Sequence, residues 1–321
     1  RFLKYIPKIG RSSLQKVLNR IGLLHFLAEK NIHSLEGKIQ KLIFNNGIDL
    51  LELSDYVSLH GFLMRDVSFR EFSIKTVMRV HGGRYFLTQL NGELNRFWFN
   101  NDFNHFKRVD RVIATSVFSK EFVEENFGIE KSDCSVVYNP IEESFLNSSK
   151  KVGLKKTIVF IGKIVKTKGA FSLLEVFNEI ASKYKDLNLV MIGGGDLKKG
   201  KNIVSKQYLD RVHFTGYIER DDIKSFIDNS RFCIIPSHFE NFSLVALEIM
   251  GRSKALIYTN RTSGPELVRH LENGLLVNPF KNQDIYDKMV YLIEHYDLAE
   301  NLGLNAFKDV SEKYTVNRII D

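Results

Sequence analysis

A cadence of short apolar runs and longer helical patterns, run through twice, constrains this chain more than any other feature. From residue 156 onward, "KTIVFIG", "LNLVMIGGG", "RVHFTG", "RFCIIPS" and "ALIYT" read as strands. Between them, "AFSLLEVFNEIASKY", "DDIKSFIDNS" and "SLVALEIMG" read as helices. In the first half, "GIDLLELSD", "IKTVMRV" and "DRVIATS" read as strands and "SKEFVEENFG" as a helix. Such alternation buries strands on both faces and implies a parallel sheet with helices on either side. The polar stretch "EESFLNSSKKVGLKK" (142–156) separates the two rounds. The expectation is an α/β chain of two Rossmann-like, doubly wound domains, residues 1–146 and 147–321, the last helix packing back on the first domain. At 321 residues and 44% hydrophobic, the chain can give each half its own core.

Several classes drop out. No apolar run approaches the roughly 20 residues of a membrane span. Cys134 and Cys233 each sit in an apolar, strand-like run, which favours buried, inert thiols over a disulfide framework. Neither G-x-G-x-x-G nor G-x4-G-K-[ST] occurs, and no Cys–His metal spacing or Asp-x-Asp motif is present. The chain opens on Arg1, so a removed leader stays open.

The net charge of +8 is concentrated: residues 1–46 carry nine basic and two acidic residues, a local charge of +7. Leu14, Val17, Leu18, Ile21 and Leu24 follow helical spacing there, with Lys16 and Arg20 on another face. An anionic lipid surface or an acidic acceptor suits this segment. A helix packed on its own domain, with solvated lysines, suits it as well. Nucleic acid is disfavoured, because no aromatic-interleaved basic motif accompanies the charge.

In open parallel sheets, ligands bind outside the carboxyl ends of strands. "RFCIIPS" ends at Ser237, and "FENFSLVALEIM" (239–250) follows. Ser243 is suited to cap a helix over 244–251, which Gly251 is expected to end. Glu240 then lies in the loop ahead of that helix and Glu248 inside it, tilted back towards the same mouth. The free N–H groups of the first turn, around Asn241, Phe242, Ser243 and Leu244, offer an anion site. Carboxylates accept hydrogen bonds from paired hydroxyls. An anion between two acids therefore points to a nucleotide sugar.

Glu240-x7-Glu248 resembles the E-x7-E signature of retaining GT-B glycosyltransferases, glycosyltransferase family 4 (glycosyl transferases group 1). "FIGKIVKTKGAFSLLEVF", "LVMIGGGDL", "VHFTGYI", "RTSGPELV" and "ENGLLVNP" follow in that family's order. "TVMRVHGGRYF", "DRVIATSVFSKEFV" and "SVVYNPI" resemble its amino-terminal domain. The resemblance covers roughly residues 48–300. It implies a GT-B fold and a retaining, metal-independent hexosyltransferase. The donor is then a UDP-, GDP- or ADP-sugar, the acceptor a glycan or lipid-linked sugar, and no cofactor takes part. It implies work in bacterial surface polysaccharide or lipopolysaccharide synthesis, in the cytoplasm and peripherally on the inner face of the cell membrane. Lys163 and Lys168 are assigned to the leaving diphosphate, and Gly162 and Gly169 permit close backbone approach. Lys163 stands where the family has arginine and forgoes two-pronged phosphate recognition.

His81, before Gly82-Gly83, is placed by the resemblance at the reaction centre; a turn histidine bonded to backbone is the bland alternative. Gly193, Gly194 and Gly195 line the crevice floor or form a tight turn. Tyr217 and Ile218 match the segment that meets the base. Glu266, after Pro265, is expected to serve its own helix start. Arg84 is a weaker candidate for acceptor or phosphate. The family's opening strand and glycine-rich loop have no counterpart in residues 1–47, so an amino-terminal domain lacking its first strands is expected. A catalytically silent GT-B subunit is the alternative reading, and a GT-B epimerase or phosphorylase a more distant one.

Overall fold

The computed structural model describes residues 37–55, 74–83, 85–86, 88, 96–147 and 156–320, without the side chains of 97, 98, 101, 104 and 105. Residues 1–36 of the basic segment and Arg84 lie outside the described residues. The chain forms two compact units. The first contains the described residues up to Thr115 and then Ser119–Val136; the second contains Ser116–Phe118 and runs on from Val137.

The first unit is built on a four-stranded parallel sheet in the order β1 (Leu50–Ser54), β2 (Lys75–Val80), β3 (Arg111–Ala114), β4 (Cys134–Val136). Leu50 pairs with Lys75, Val77 with Arg111, and Val112 with Cys134. Phenylalanines organise its packing. Phe86 meets Phe122 at 4.5 Å between ring centroids, and Phe106 meets Phe127 at 4.8 Å. Tyr85 meets Phe99 at 5.1 Å. Each buried ring removes enough apolar surface from water to contribute about 1.5–3 kcal/mol.

The second unit holds a six-stranded parallel sheet in the order β10-β9-β8-β5-β6-β7. Its strands are β5 (Thr157–Ile161), β6 (Asn188–Ile192), β7 (Val212–Gly216), β8 (Phe232–Ile235), β9 (Leu256–Thr259) and β10 (Leu275–Val277). The chain steps outward from β5 through β6 to β7. It then returns past β5 to lay down β8, β9 and β10. This order reverses between β5 and β8, and in open parallel sheets ligands bind outside the carboxyl ends of the strands at such a reversal. Alternate side chains of β5 enter two separate cores. Ile158 and Phe160 pack with Leu173, Phe177 and Met289, whereas Val159 and Ile161 pack with Ile227, Leu247 and Val310. Two-sided burial of this kind is why the strands read as unbroken apolar runs.

The two cysteines are buried and free, and burial pushes both thiols up to about 11. Among the described residues, no helix is long and apolar enough to cross a membrane.

Candidate functional site

The loops that leave β5 and β8 carry the candidate residues of the second unit. Leaving β5, the chain passes Gly162 and Lys163, makes a short turn over Lys166–Lys168, and enters helix Ala170–Lys183 through Gly169. Gly169 has φ +69°, and a Cβ placed there would lie 1.9 Å from the Pro236 carbonyl oxygen. Only glycine lets the two backbones come this close. The His238 N–H also donates to the Thr167 carbonyl at 2.9 Å. This double contact brings the Lys168 Nζ to 2.8 Å from Glu240 Oε1. Lys163 ends elsewhere: it is exposed and forms no ion pair among the described residues.

Glu240 is 9% exposed, and its main chain is clamped from the loop after β9. The Thr262 hydroxyl accepts from the Glu240 N–H at 2.9 Å and donates to the Glu240 carbonyl at 2.6 Å. Ser263 Oγ donates to the same carbonyl at 2.9 Å. Thr262 adopts φ +52°, a left-handed conformation that costs a threonine on the order of 1–3 kcal/mol. The clamp offsets that cost and holds Glu240 without using its carboxylate.

The helix that follows spans Leu244–Gly251, and Ser243 caps it by accepting from the Ala246 N–H at 3.2 Å. Phe242 is buried against Tyr138, at 5.2 Å between centroids. Asn241 is half-buried and Leu244 exposed. Gly251 does not end the helix through a left-handed cap. Ser253 takes that conformation at φ +54°. Gly251 is needed for closeness instead, because a Cβ there would lie 2.4 Å from Ile141 Cδ1.

Glu248, 5% exposed, is met by a residue that the sequence reading passed over. Arg220 opens helix Arg220–Asn229 just after β7. Its Nε and Nη2 both donate to Glu248 Oε1, at 2.9 and 2.5 Å. Its Nη1 reaches Glu142 Oε2 at 2.7 Å, and its guanidinium carbon lies 5.1 Å from the Phe145 ring centroid. Burial pushes the Glu248 carboxyl above its ordinary range, and Arg220 pulls it back. Each acid of the pair thus has its own cation from a different loop. An arginine at a helix start carries no spacing rule, so only the fold reveals this partner.

The three glycines after β6 separate into two roles. A Cβ at Gly193 would lie 2.2 Å from the Gly162 carbonyl oxygen, whereas one at Gly194 would meet nothing within 4 Å. Gly195 bridges Ile164, so the turns after β5 and β6 rest on one another. Tyr217 is 80% exposed beyond β7, while Ile218 packs against the core.

In the first unit, Asp55 was missed because it reads as the polar end of a strand. Its carboxylate accepts from the N–H of His81 at 2.8 Å, Gly82 at 3.0 Å and Gly83 at 2.7 Å. Burial raises this carboxyl, and the backbone donors, His81 foremost, work against the rise. Asp102 braces the other side by accepting from the Tyr85 N–H at 3.1 Å. His81 therefore sits on a pinned turn with an exposed side chain. Glu266 stands in the first turn of helix Gly264–Leu267 behind Pro265, as expected, and its carboxylate also accepts from the N–H of Val117 at 2.8 Å and of Phe118 at 2.9 Å.

The family model described as glycosyl transferases group 1 matches residues 142–309, and that of glycosyltransferase family 4 matches residues 10–145. An uncharacterized glycosyltransferase of Methanocaldococcus jannaschii is 28% identical over 282 residues, which are 88% of this chain and 75% of that protein. The capsular polysaccharide biosynthesis glycosyltransferase CapM of Staphylococcus aureus is 27% identical over 322 residues, 95% of this chain and 78% of CapM. Of some other relatives the chain spans only 42–57% of the length. The structure of Anabaena HepE with UDP-glucose superposes with a TM-score of 0.72 over 89% of this chain and 79% of HepE, at 19% identity. The two matched segments meet near the junction of the two units, and both parallel sheets accord with the fold of these enzymes. The chain belongs to the glycosyl transferases group 1, glycosyltransferase family 4, with the GT-B fold.

Proposed function

We propose that this protein transfers a hexosyl group from a nucleoside diphosphate sugar to a glycan or lipid-linked acceptor, with retention and without a divalent cation, in surface polysaccharide synthesis. The observation that carries the proposal is the 2.8 Å Lys168–Glu240 pair at the strand-order reversal, beside a capped helix start. A leaving diphosphate gains negative charge as its bond to the sugar breaks. Lys168 can exchange Glu240 for that diphosphate, and the N–H groups at the start of helix Leu244–Gly251 can hold its oxygens. Lys163 adds a further positive charge from the same loop. Glu240, released from Lys168, accepts from hydroxyls of the transferred sugar, and Glu248 accepts from the ribose. Retention requires the acceptor to approach on the face from which the diphosphate departs. The departing phosphate oxygen then takes the acceptor proton as the C1–O bond to the acceptor forms. His81, with its backbone pinned by Asp55, is assigned to the transferred sugar. The capsular role of CapM and the UDP-glucose bound by HepE support this class of pathway and donor.

A thermal-shift panel of UDP, GDP, ADP and their sugars, with and without EDTA, tests the reading. One nucleotide series is expected to stabilise the protein by about 2.7 kcal/mol at a hundredfold excess over Kd, unchanged by EDTA. A panel without any shift, or a shift that EDTA abolishes and magnesium restores, overturns it. NMR of the product then reads the anomer directly, and an inverted product refutes retention.

We further infer that the enzyme works at an anionic lipid surface through residues 1–46. Helix 37–46 supports this: it carries Lys38 and Lys41 and leaves Phe44 86% exposed. The protein is expected to pellet with vesicles containing phosphatidylglycerol at low salt and to release as salt screens the charge. Equal recovery with purely phosphatidylcholine vesicles would remove the inference.

A further inference from the structure

The ion triad Glu142–Arg220–Glu248 is absent from the sequence motifs, and it has a consequence for which sugar the nucleotide must carry. We propose that Arg220 is the ribose-selecting residue of the donor site: by occupying one oxygen of Glu248 it dedicates the other to the 2′,3′-diol of a ribonucleoside diphosphate. This inference rests on the assignment of Glu248 to the nucleoside.

A carboxylate offers about four lone-pair positions, two on each oxygen. Arg220 Nε and Nη2 both address Oε1, at 2.9 and 2.5 Å, and so fill that oxygen. Oε2 accepts no hydrogen bond from the described residues, and two lone pairs suit two neighbouring hydroxyls. The guanidinium is itself held at its far side by Glu142, at 2.7 Å, and lies over the Phe145 ring. Lys224 reaches the same ring, 4.8 Å from its centroid. Arg220 is thereby fixed at three points, and through it the plane of the Glu248 carboxylate is fixed as well. Glu248 is buried in a helix, and among the described residues only Arg220 hydrogen-bonds to its carboxylate, with Lys224 acting on it through charge alone. Without Arg220 the carboxylate would turn freely or take up a proton beside Glu142. In either state it no longer presents two acceptors to a diol. Arg220 also stands two residues beyond Ile218, as the first residue of the helix that follows β7. It is a positioning residue, acting on the nucleotide through Glu248.

The test is a ratio. Affinities of UDP, GDP and ADP and of their 2′-deoxy forms are measured by calorimetry for wild type, Arg220→Gln, Arg220→Lys and Glu248→Gln. For whichever nucleotide binds, wild type should prefer the ribo form by tenfold or more, the value of a hydrogen bond to a charged group. Arg220→Gln should reduce that preference to threefold or less, as should Glu248→Gln. Arg220→Lys, which keeps the charge without the two-pronged hold, should fall between. Partial unfolding of a variant lowers both affinities alike and leaves their ratio intact, so a merely structural role would not move this readout. A wild type that binds none of the nucleotides sinks the donor assignment itself. Discrimination that Glu248→Gln abolishes and Arg220→Gln preserves overturns only the role of Arg220. A wild type that binds ribo and deoxy forms equally, or an Arg220→Gln variant that discriminates more sharply, overturns it too.

Discussion

Glu240→Gln is expected to lower sugar transfer at least a hundredfold while leaving affinity for the free nucleoside diphosphate within about threefold. The side chain changes by one atom, and the main chain of Glu240 is held by Thr262 and Ser263 rather than by its carboxylate. The fold around it should therefore persist. What disappears is the charge opposite Lys168, 2.8 Å away. Lys168 is then freer to meet a diphosphate, so the nucleotide alone loses nothing. The nucleotide sugar loses its hydrogen bonds to a charged acceptor, each about 1.5–3 kcal/mol, or roughly ten- to over a hundredfold. Glu248→Gln should instead weaken free nucleotide and nucleotide sugar alike. Calorimetry of both variants with both ligands, together with product release, decides the matter. One shared pattern in the two variants would show that the acids do not divide the donor between them.

Gly169→Ala should be among the most damaging single methyls in the second unit. The added Cβ would sit 1.9 Å from the Pro236 oxygen at a backbone with φ +69°. Overpacking against backbone costs about 1–3 kcal/mol, and a left-handed alanine about 1–2 more. A loss of about 3 kcal/mol corresponds to a Tm roughly 6–12 °C lower for a unit of this size. The turn that carries Lys168 must also retreat from Glu240, so nucleotide affinity should fall in the variant at temperatures where it remains folded. Gly194→Ala is the matched comparison: its Cβ would meet nothing within 4 Å. Melting curves of the two should differ by most of that interval. Equal curves would mean that the turn is free to move away from β8.

The candidate site was legible where chemistry imposes spacing. Glu240 and Glu248 stand at a fixed separation because one must precede a helix start and the other look back along the same helix. Ser243 was legible as its cap because a hydroxyl at that position satisfies a free N–H. The Lys168-Gly169 step was legible too, although its reason was not. The glycine answers to the Pro236 carbonyl, 67 residues further along the chain, which no local pattern can announce. Asp55, Arg220 and Thr262 were missed for the same reason. Each acts on a segment far away in sequence: Asp55 on His81–Gly83, Arg220 on Glu248, and Thr262 on Glu240. Glu266 was legible as a first-turn acid behind Pro265, but the reach of its carboxylate to the N–H groups of Val117 and Phe118 was not.

By itself, the sequence determined that this chain is a pair of parallel α/β units. Strands buried on both faces must be apolar throughout, and the helices between them must carry one apolar stripe. Both constraints are periodic and act over a few residues, so they are written in the order of the amino acids. Only the tertiary structure decided which cation meets which acid. Lys168 rather than Lys163 reaches Glu240, and Arg220 reaches Glu248. Such pairings follow from the strand order β10-β9-β8-β5-β6-β7, which sets the loops after β5 and β8 side by side and brings the connection after β7 to the helix that β8 feeds. Charge attracts over distance without regard to sequence separation, and the sheet alone determines which charges become neighbours.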